Sequence, residues 1–159
     1  MISYKDGDLL SSTCNVICHQ VNCQGAMGAG IAKTIKERYP RVFEQFLIKH
    51  RVDGSHLGDI DIIMVNDSPK RFVVNMYSQD NYLPRTVRHT DYDAFRTCIK
   101  KIKKQISGYK KTCVPKLDFK IGFPYGIGCG LAGGDWNIVS KIIEDEFSGK
   151  QWEVEIWKL

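Results

Sequence analysis

The chain has 159 residues, of which 43% are hydrophobic and 26% are charged. This length and balance predict one globular domain, spanning residues 1–159, with a substantial hydrophobic core. The formal net charge of +5 favours anionic ligands but does not identify nucleic acid as a partner. No apolar run approaches the roughly 20 residues that a membrane span needs, and the first residues lack the pattern of a signal peptide. We therefore expect an intracellular, cytoplasmic protein with no membrane partner.

Six cysteines are spread over the chain: Cys14, Cys18, Cys23, Cys98, Cys113 and Cys129. In a protein without a signal peptide, free thiols are expected rather than disulfides. The sequence contains no CxxC pair, and the first three cysteines have no second ligand cluster at zinc-finger spacing. We therefore predict no metal site and no cofactor, and we expect most cysteines to act as small core residues.

Strand-like and helix-like segments alternate in the first half of the chain. The apolar patterns predict strands at residues 2–4, 15–18, 60–65 and 72–77, and helices at residues 29–39 and 41–51. Tyr39-Pro40 marks the boundary between the two helices, because a residue that precedes proline disfavours the helical conformation. The last two strands flank a turn sequence at residues 66–69, which predicts a hairpin.

Residues 91–106 carry the clearest helical pattern. Apolar residues recur at intervals of three and four: Tyr92, Phe95, Ile99, Ile102 and Ile106. We expect Thr90 to cap this helix, with Asp93 three residues later. The opposite face is basic: Arg96, Lys100, Lys101, Lys103 and Lys104. This face either binds nucleic acid or an acidic partner, or is simply solvated. We favour the solvated face, because no aromatic residues interleave with the charges, and we predict no nucleic-acid partner.

The last third of the chain completes an α/β pattern. We predict a strand at residues 119–123, a helix at residues 136–147 with Asp135 as its N-cap, and a final strand at residues 152–157. The final strand places Trp152, Val154 and Ile156 on one face. The element order predicts a three-layer α/β/α domain, and the hairpin makes the central sheet mixed rather than fully parallel.

Two glycine-rich loops, each between a strand and a helix, are the features that point to a ligand. The first spans residues 25–31, where glycine lets a ligand approach the backbone and the following helix adds free N–H groups. Taken alone, this loop is either a diphosphate cradle or a tight turn without a ligand. The second spans residues 126–134 and holds five glycines in nine residues, which costs chain entropy unless the backbone is needed.

The second loop formally matches GxGxxG from Gly128 to Gly133. A dinucleotide-binding fold does not fit, because that motif belongs to the first βαβ unit and only one helix and one strand follow here. A P-loop does not fit either, because no Gly-Lys-Ser/Thr occurs. In an α/β sheet both loops lie at carboxyl strand ends, where ligands collect, so two converging loops are more specific than one.

In these motifs, their order and their spacing, the sequence resembles the macrodomain family over nearly its whole length. The resemblance rests on Gly7-Asp8-Leu9, on His19-Gln-Val-Asn22 followed by Gly25-x-Met27-Gly28-x-Gly30-Ile31-Ala32, and on Ile127-Gly-Cys-Gly-Leu131 followed by Asp135-Trp136. The chain is similar to the branch that includes the terminal ADP-ribose protein glycohydrolase and the yeast ADP-ribose 1''-phosphate phosphatase. This resemblance implies a domain that binds ADP-ribose or one of its derivatives.

The resemblance also implies binding roles residue by residue. Asp8 would accept a hydrogen bond from the adenine amino group, with Leu9 beside it, and Trp157 would lie against adenine. Asn22 would contact the distal ribose. The residues implied to cradle the diphosphate are Gly28, Ala29, Gly30 and Ile31 in the first loop, and Gly126, Ile127, Gly128, Cys129, Gly130 and Leu131 in the second. Two alternatives stay open: Asp8 as a turn cap and Trp157 as a packed aromatic residue.

The chain differs from this branch of the family at the positions that carry catalytic residues. The glycohydrolases use a lysine and an aspartate, and this chain has Gln79 and Ala132 at those positions. His19 is then the first candidate for acid–base chemistry near the distal ribose, with a hydrogen-bonded strand-end histidine as its alternative, and Asp80 is the second. We expect hydrolysis of ADP-ribose 1''-phosphate or of ADP-ribose attached to a protein. The alternative is a reader that binds ADP-ribose without catalysis.

Overall fold

A computed structural model describes residues 1–113 and 116–159 of the chain. Six strands of these described ranges form one sheet in the order β1-β6-β5-β2-β4-β3. The strands are β1 (Ile2–Asp6), β2 (Val16–Asn22), β3 (Ile60–Asp67), β4 (Lys70–Gln79), β5 (Lys120–Pro124) and β6 (Glu153–Lys158). All neighbouring pairs are parallel except the β3–β4 hairpin, which is antiparallel. The mixed sheet and the hairpin predicted from sequence are confirmed.

Helices cover both faces of the sheet. Along β2, Ile17 and Val21 point to the layer of α1 (Gly30–Arg38) and α2 (Pro40–Val52), where they join an apolar cluster. Val16 and Cys18 point the other way, to the layer of α3 (Tyr92–Thr112) and α4 (Trp136–Glu146). The predicted three-layer α/β/α architecture is therefore confirmed. Four cysteines are buried, as expected of small core residues: Cys14, Cys18, Cys23 and Cys98.

The long helix α3 corrects two details of the sequence interpretation. Its N-cap is Asp91, whose side chain accepts a hydrogen bond from the N–H of Ala94, and not Thr90. The helix also continues to Thr112, well beyond Ile106. In the apolar stripe Phe95, Ile99, Ile102 and Ile106 are buried as predicted, and Tyr92 is half-buried. On the basic face, Arg96 and Lys103 form ion pairs with Glu146 of α4, and Lys101 pairs with Asp59, so three of its five charges are paired within the protein.

The sheet topology brings the functional candidates to one edge. Because β1, β6, β5, β2 and β4 run in the same direction, the loops that follow them lie at the same edge of the sheet. The loops after β2, β4 and β5 become neighbours, since these strands are adjacent in the sheet. No helix within residues 1–113 and 116–159 is long and apolar enough to cross a membrane.

Candidate functional site

Two adjoining cavities open at this edge of the sheet, and together we call them the cleft. The first cavity has a volume of about 290 Å³ and lies between the loops after β2 and β4. The second cavity has a volume of about 310 Å³ and lies between the start of α1 and the loop after β5. Residues common to both walls are Gln20, Ala29, Ala32, Gln79, Leu131 and Ala132. Because the walls are shared, one elongated ligand can occupy both cavities.

The first glycine-rich loop presents the N-terminus of α1 to the cleft. The helix begins at Gly30, and its N-cap, Ala29, is extended and supplies no side-chain hydrogen bond. The first turn also contains no acidic residue among these described positions. The first N–H groups of a helix have no partner within it and carry a positive potential. With Ala29, Gly30 and Ile31 in the wall of the second cavity, these donors face the space in which a ligand would lie.

Asn22 at the end of β2 shapes the first loop. Its side-chain oxygen accepts hydrogen bonds from the backbone N–H groups of Gln24 (3.0 Å) and Ala26 (3.2 Å). Its amide nitrogen donates to the carbonyl of Ala26 at 2.7 Å. Asn22 also lines the first cavity, together with Gly28. The side chain therefore holds the loop in a tight bend at the place where sequence analysis predicts contact with the distal ribose.

A network of hydrogen-bonded polar side chains supports the second glycine-rich loop. The Thr90 hydroxyl donates to the carbonyl of Gly128 at 2.6 Å and accepts a hydrogen bond from the Gln20 amide at 2.9 Å. Gln20 in turn accepts a hydrogen bond from the Ser78 hydroxyl at 2.7 Å. Gly128 has a φ of +74°, and a Cβ there would lie 2.9 Å from the Gln20 side-chain oxygen. Glycine is thus required at this position by the backbone and by the supporting network.

The loop after β4, residues 80–89, completes the first cavity. Tyr82 and Arg85 of this loop line the cavity, although no sequence motif predicts either residue as part of the site. Their sequence carries no glycine motif or catalytic pattern. The available signal was positional: the loop follows a strand that neighbours β2 at the carboxyl edge of the sheet. Arg85 is the only charged side chain among the described residues that line either cavity.

His19 lies outside the cleft, contrary to the role expected for it. The side chain is fully buried, and its Nε2 is 2.6 Å from the side-chain oxygen of Asn75. Because the Asn75 amide donates to Asp61 at 3.2 Å, its oxygen accepts from the ring N–H of His19. Nδ1 is buried and has no hydrogen-bond partner among the described residues. Burial lowers the pKa of His19 to about 4. The ring is uncharged at neutral pH, and it lies on the α2 side of the sheet, outside the cavity walls. Neither feature supports the acid–base role.

Asp80 and Gln79 also differ in their access to the cleft. Asp80 is exposed and does not line either cavity, so its position does not support the second catalytic assignment. Gln79 lies in both walls and accepts a hydrogen bond from the Gln20 amide at 3.2 Å. Ala132 lies in both walls as well. The two positions at which the chain departs from the glycohydrolase pattern therefore lie in the cleft and carry no ionisable group.

The residues assigned to adenine lie together at the carboxyl ends of β1 and β6, beyond the walls of the two cavities. Asp8 accepts hydrogen bonds from the N–H of Leu10 (2.9 Å) and the hydroxyl of Ser11 (3.0 Å), which makes it the cap of a 3₁₀ turn. Leu9 is buried. The indole N–H of Trp157 donates to Glu155 at 3.0 Å. A Cβ at Gly7 would lie 3.2 Å from the Trp157 ring, so the ring packs against the loop that carries Asp8.

Most other predicted cradle residues lie in the walls. The first cavity is lined by Gly28, Ala29 and Leu131, and the second by Ala29, Gly30, Ile31, Gly126, Ile127, Gly128, Gly130 and Leu131. Cys129 instead points its thiol to the carbonyl of Ile127 at 3.3 Å, and burial raises its pKa to about 11. Asp135 caps α4 through the N–H of Asn137 at 2.9 Å, as predicted.

Comparison with known proteins gives a consistent family match. Residues 18–143 match the Macro domain family. The chain is 24% identical over 152 residues to the ADP-ribose 1''-phosphate phosphatase of Candida albicans, covering 91% of this chain and 93% of that protein. It is 46% identical over 46 residues to the DNA ADP-ribosyl glycohydrolase of Mycobacterium tuberculosis. That match covers 29% of this chain and only 13% of the mycobacterial protein.

A solved structure shows the same fold. The structure of Thermosipho africanus DarTG in complex with ADP-ribose superposes on this chain with a TM-score of 0.78 and 19% sequence identity. The superposition covers 99% of this chain and 41% of the DarTG chain. The likeness therefore extends over the whole fold described above, including both sides of the cleft.

Proposed function

We propose that this chain, which belongs to the Macro domain family, binds a derivative of ADP-ribose in the cleft and hydrolyses it. Two relatives are named for hydrolytic reactions of ADP-ribose derivatives, one on a 1''-phosphate and one on DNA. The solved structure with the same fold carries ADP-ribose. The substrates we propose are ADP-ribose 1''-phosphate, from which water releases ADP-ribose and inorganic phosphate, and ADP-ribose attached to a protein. We also propose an intracellular location.

One observation carries the binding proposal: the open N-terminus of α1 and the second glycine-rich loop face each other across one cavity. A diphosphate between them would accept hydrogen bonds from the backbone N–H groups at the start of α1. Glycine removes the side chains that would hinder this approach, and a Cβ at Gly130 would meet no described atom within 4 Å. The cradle needs no lysine, and the cavity walls supply none among the residues that the structure describes.

The layout of the ligand follows from the two cavities. With the diphosphate in the second cavity, the adenosine half extends toward Asp8 and Trp157 at the ends of β1 and β6. The distal ribose then enters the first cavity, beside Asn22 and under the loop of residues 80–89. Gln79 and Tyr82 line this end, and their amide and hydroxyl groups would orient a water molecule against the distal ribose.

A second candidate function is a reader that binds ADP-ribose without turnover. The specific observation in its favour is the chemistry of the first cavity, whose described walls hold no histidine, lysine or carboxylate. Amide groups orient water but do not take up its proton at neutral pH. In the hydrolase, a phosphate group of the substrate itself would serve as the base.

Glycine-to-leucine variants test the binding site. Gly28 and Gly130 line the cleft, neither has a positive φ, and a Cβ at either position would meet no described atom within 4 Å. A leucine at either position therefore fills the cavity without straining the backbone. We expect calorimetry to show ADP-ribose binding by the wild type and at least about tenfold weaker binding by Gly28→Leu and Gly130→Leu, which is 1.4 kcal/mol.

The matched control is Gly108→Leu on helix α3, where a Cβ also meets no described atom. This variant should bind ADP-ribose as the wild type does. Unchanged thermal midpoints in all three variants would show that lost binding is not lost folding. Failure of the wild type to bind ADP-ribose at millimolar concentration would refute the proposal.

An assay of product release separates the hydrolase from the reader. Purified protein is incubated with ADP-ribose 1''-phosphate, and inorganic phosphate is measured over time. We expect release in the wild type and none in Gly28→Leu. Binding without release would identify the reader. His19→Ala should keep its turnover at pH 7, since the side chain does not reach the cleft, and a large loss of kcat in a fully folded variant would reinstate His19 as a catalytic residue.

A further inference from the structure

The first cavity contains a single charge. Its walls are built from backbone, apolar side chains and the amides of Gln20, Asn22 and Gln79, and Arg85 is the only ionised side chain in them. Within the described part of the chain, Arg85 forms no ion pair, whereas Arg96 on α3 pairs with Glu146 at 2.9 Å. An arginine without a carboxylate partner at the mouth of a neutral cavity leaves its five N–H donors available to a ligand.

The backbone that carries Arg85 is tied to the rest of the cleft. The ring nitrogen Nε2 of His89 is 2.6 Å from the carbonyl oxygen of Pro84, the residue before Arg85. The backbone N–H of His89 donates to the carbonyl of Ala132 at 2.8 Å, and Ala132 lies in the wall of both cavities. The N–H of Asp80 also donates to the carbonyl of His89 at 3.3 Å, which closes the loop. Arg85 therefore starts from an anchored position beside the first cavity.

Arginine has a defined chemical preference. Its planar guanidinium matches the oxygens of a phosphate group and forms paired, charge-assisted hydrogen bonds with them. Arg85 lines the first cavity and not the second, so it is placed at the distal-ribose end of the ligand and away from the diphosphate cradle. The neutral amides around it would bind the hydroxyl groups of ADP-ribose and of its phosphorylated form equally well. The charge at Arg85 would instead favour the phosphorylated form.

We propose that Arg85 is the specificity-determining residue of the first cavity and selects ADP-ribose derivatives that carry a phosphate ester on the distal ribose over ADP-ribose itself. This inference rests on the proposed function, because it requires the distal ribose to occupy the first cavity. It chooses between the two substrate types named above: a phosphate ester supplies the anion that Arg85 binds, whereas attachment to a neutral side chain or a protein backbone does not.

The test compares two ligands and three proteins. Dissociation constants for ADP-ribose and for ADP-ribose 1''-phosphate are measured for the wild type, for Arg85→Gln and for Arg88→Gln. Where the phosphate ester is turned over, its KM and the inhibition constant of ADP-ribose replace the two dissociation constants. Arg88 is the matched control, because it belongs to the same loop, does not line either cavity and stacks over the Tyr92 ring with 4.3 Å between its guanidinium carbon and the ring centroid.

We expect the wild type to bind the phosphate ester about tenfold more tightly than ADP-ribose, as a charge-assisted hydrogen-bond pair provides. Arg85→Gln should reduce this preference to within about twofold while ADP-ribose affinity stays within about twofold, and Arg88→Gln should keep the preference. The preference should also shrink as salt rises from 50 to 500 mM, because the contact is ionic and partly exposed.

Two results would overturn the inference while leaving the proposed function standing. A preference that survives Arg85→Gln would show that another group reads the phosphate. An equal loss of affinity for both ligands would place Arg85 on the diphosphate and not on the distal ribose. Absence of any ADP-ribose binding by the wild type would instead refute the proposed function, and the inference with it.

Discussion

Two polar clusters lie on opposite faces of the sheet at the consecutive β2 residues His19 and Gln20, and they differ in their access to the cleft. His19 belongs to a cluster with Asn75, Asp61 and Tyr77 on the side of α2, where the histidine is fully buried. Gln20 points to the other face and supports the second glycine-rich loop through Thr90. The residue type with catalytic chemistry is therefore enclosed, while the neutral residue next to it lines the cleft. In this chain, access to the cleft is determined by the direction of the side chain and not by its reactivity.

The largest expected effect concerns the buried cluster and acidic pH. The folded-state pKa of His19 is about 4, below its ordinary value of 6.5, so between these values the unfolded chain binds a proton that the folded protein does not. Stability is therefore retained above pH 6.5 and is lost as the pH falls toward 4. Relative to His19→Gln, the wild type should lose roughly 3 kcal/mol of unfolding free energy between pH 7 and pH 4.

Urea denaturation at a series of pH values checks this expectation. His56→Gln is the control, because the His56 side chain is 73% exposed and does not belong to the buried cluster. Parallel pH profiles for the wild type and His19→Gln would show that His19 takes up its proton as readily in the folded protein as in the unfolded chain. That outcome would contradict the burial of His19, and with it the difference between a buried His19 and a cleft-lining Gln20.

The next effect concerns the glycine over the Gln20 cluster. Gly128→Ala combines a φ of +74° with a Cβ that lies 2.9 Å from the Gln20 side-chain oxygen and 3.1 Å from the Thr90 hydroxyl oxygen. We expect a loss of about 2 kcal/mol of unfolding free energy from the strained backbone and the displaced network. The control is Gly130→Ala in the same loop, where a Cβ meets no described atom and the change should stay within about 0.5 kcal/mol. Equal stabilities for the two variants would show that Gln20 and Thr90 do not support this loop.

A smaller effect is expected from Thr90→Val, which keeps the shape of the side chain and removes its hydroxyl. The carbonyl of Gly128 and the amide of Gln20 would each lose a partner. We expect a loss of about 1 kcal/mol in urea denaturation, together with weaker ADP-ribose binding because the loop is less well held. Thr112→Val at the exposed end of α3 should leave both quantities unchanged. If Thr90→Val alters neither, the cluster around Gln20 does not position the loop.

Much of the fold could be predicted from apolar periodicity, because each helix and strand buries one side or both. The helix α3 was predicted with its correct buried stripe, but its last turns were missed since residues 107–112 carry little of that stripe. Asp91 and Thr90 are adjacent residues that can both cap a helix. In the structure Asp91 caps α3, while the Thr90 hydroxyl makes a tertiary hydrogen bond to the Gly128 carbonyl. Local patterns do not contain that contact.

The candidate site was predictable only in part. The glycine-rich loops are predictable because a backbone that must approach a ligand needs glycine, and glycine content is visible in the sequence. Most residues of these loops line the cleft. His19 is the residue that its chemistry favours as a catalytic candidate, but both faces of β2 are apolar and give no indication of which one meets the cleft. Tyr82 and Arg85 were missed because their loop reaches the cavity through its fold and not through a motif.

A crystal structure of the protein with ADP-ribose tests the central claim most directly. We predict the diphosphate oxygens within hydrogen-bond distance of the backbone N–H groups of Gly30 and Ile31, with the second glycine-rich loop on the other side. The distal ribose should lie in the first cavity beside Asn22 and Arg85, and His19 should remain buried and out of contact with it. A ligand bound elsewhere, or a distal ribose in contact with the His19 ring, would contradict this account.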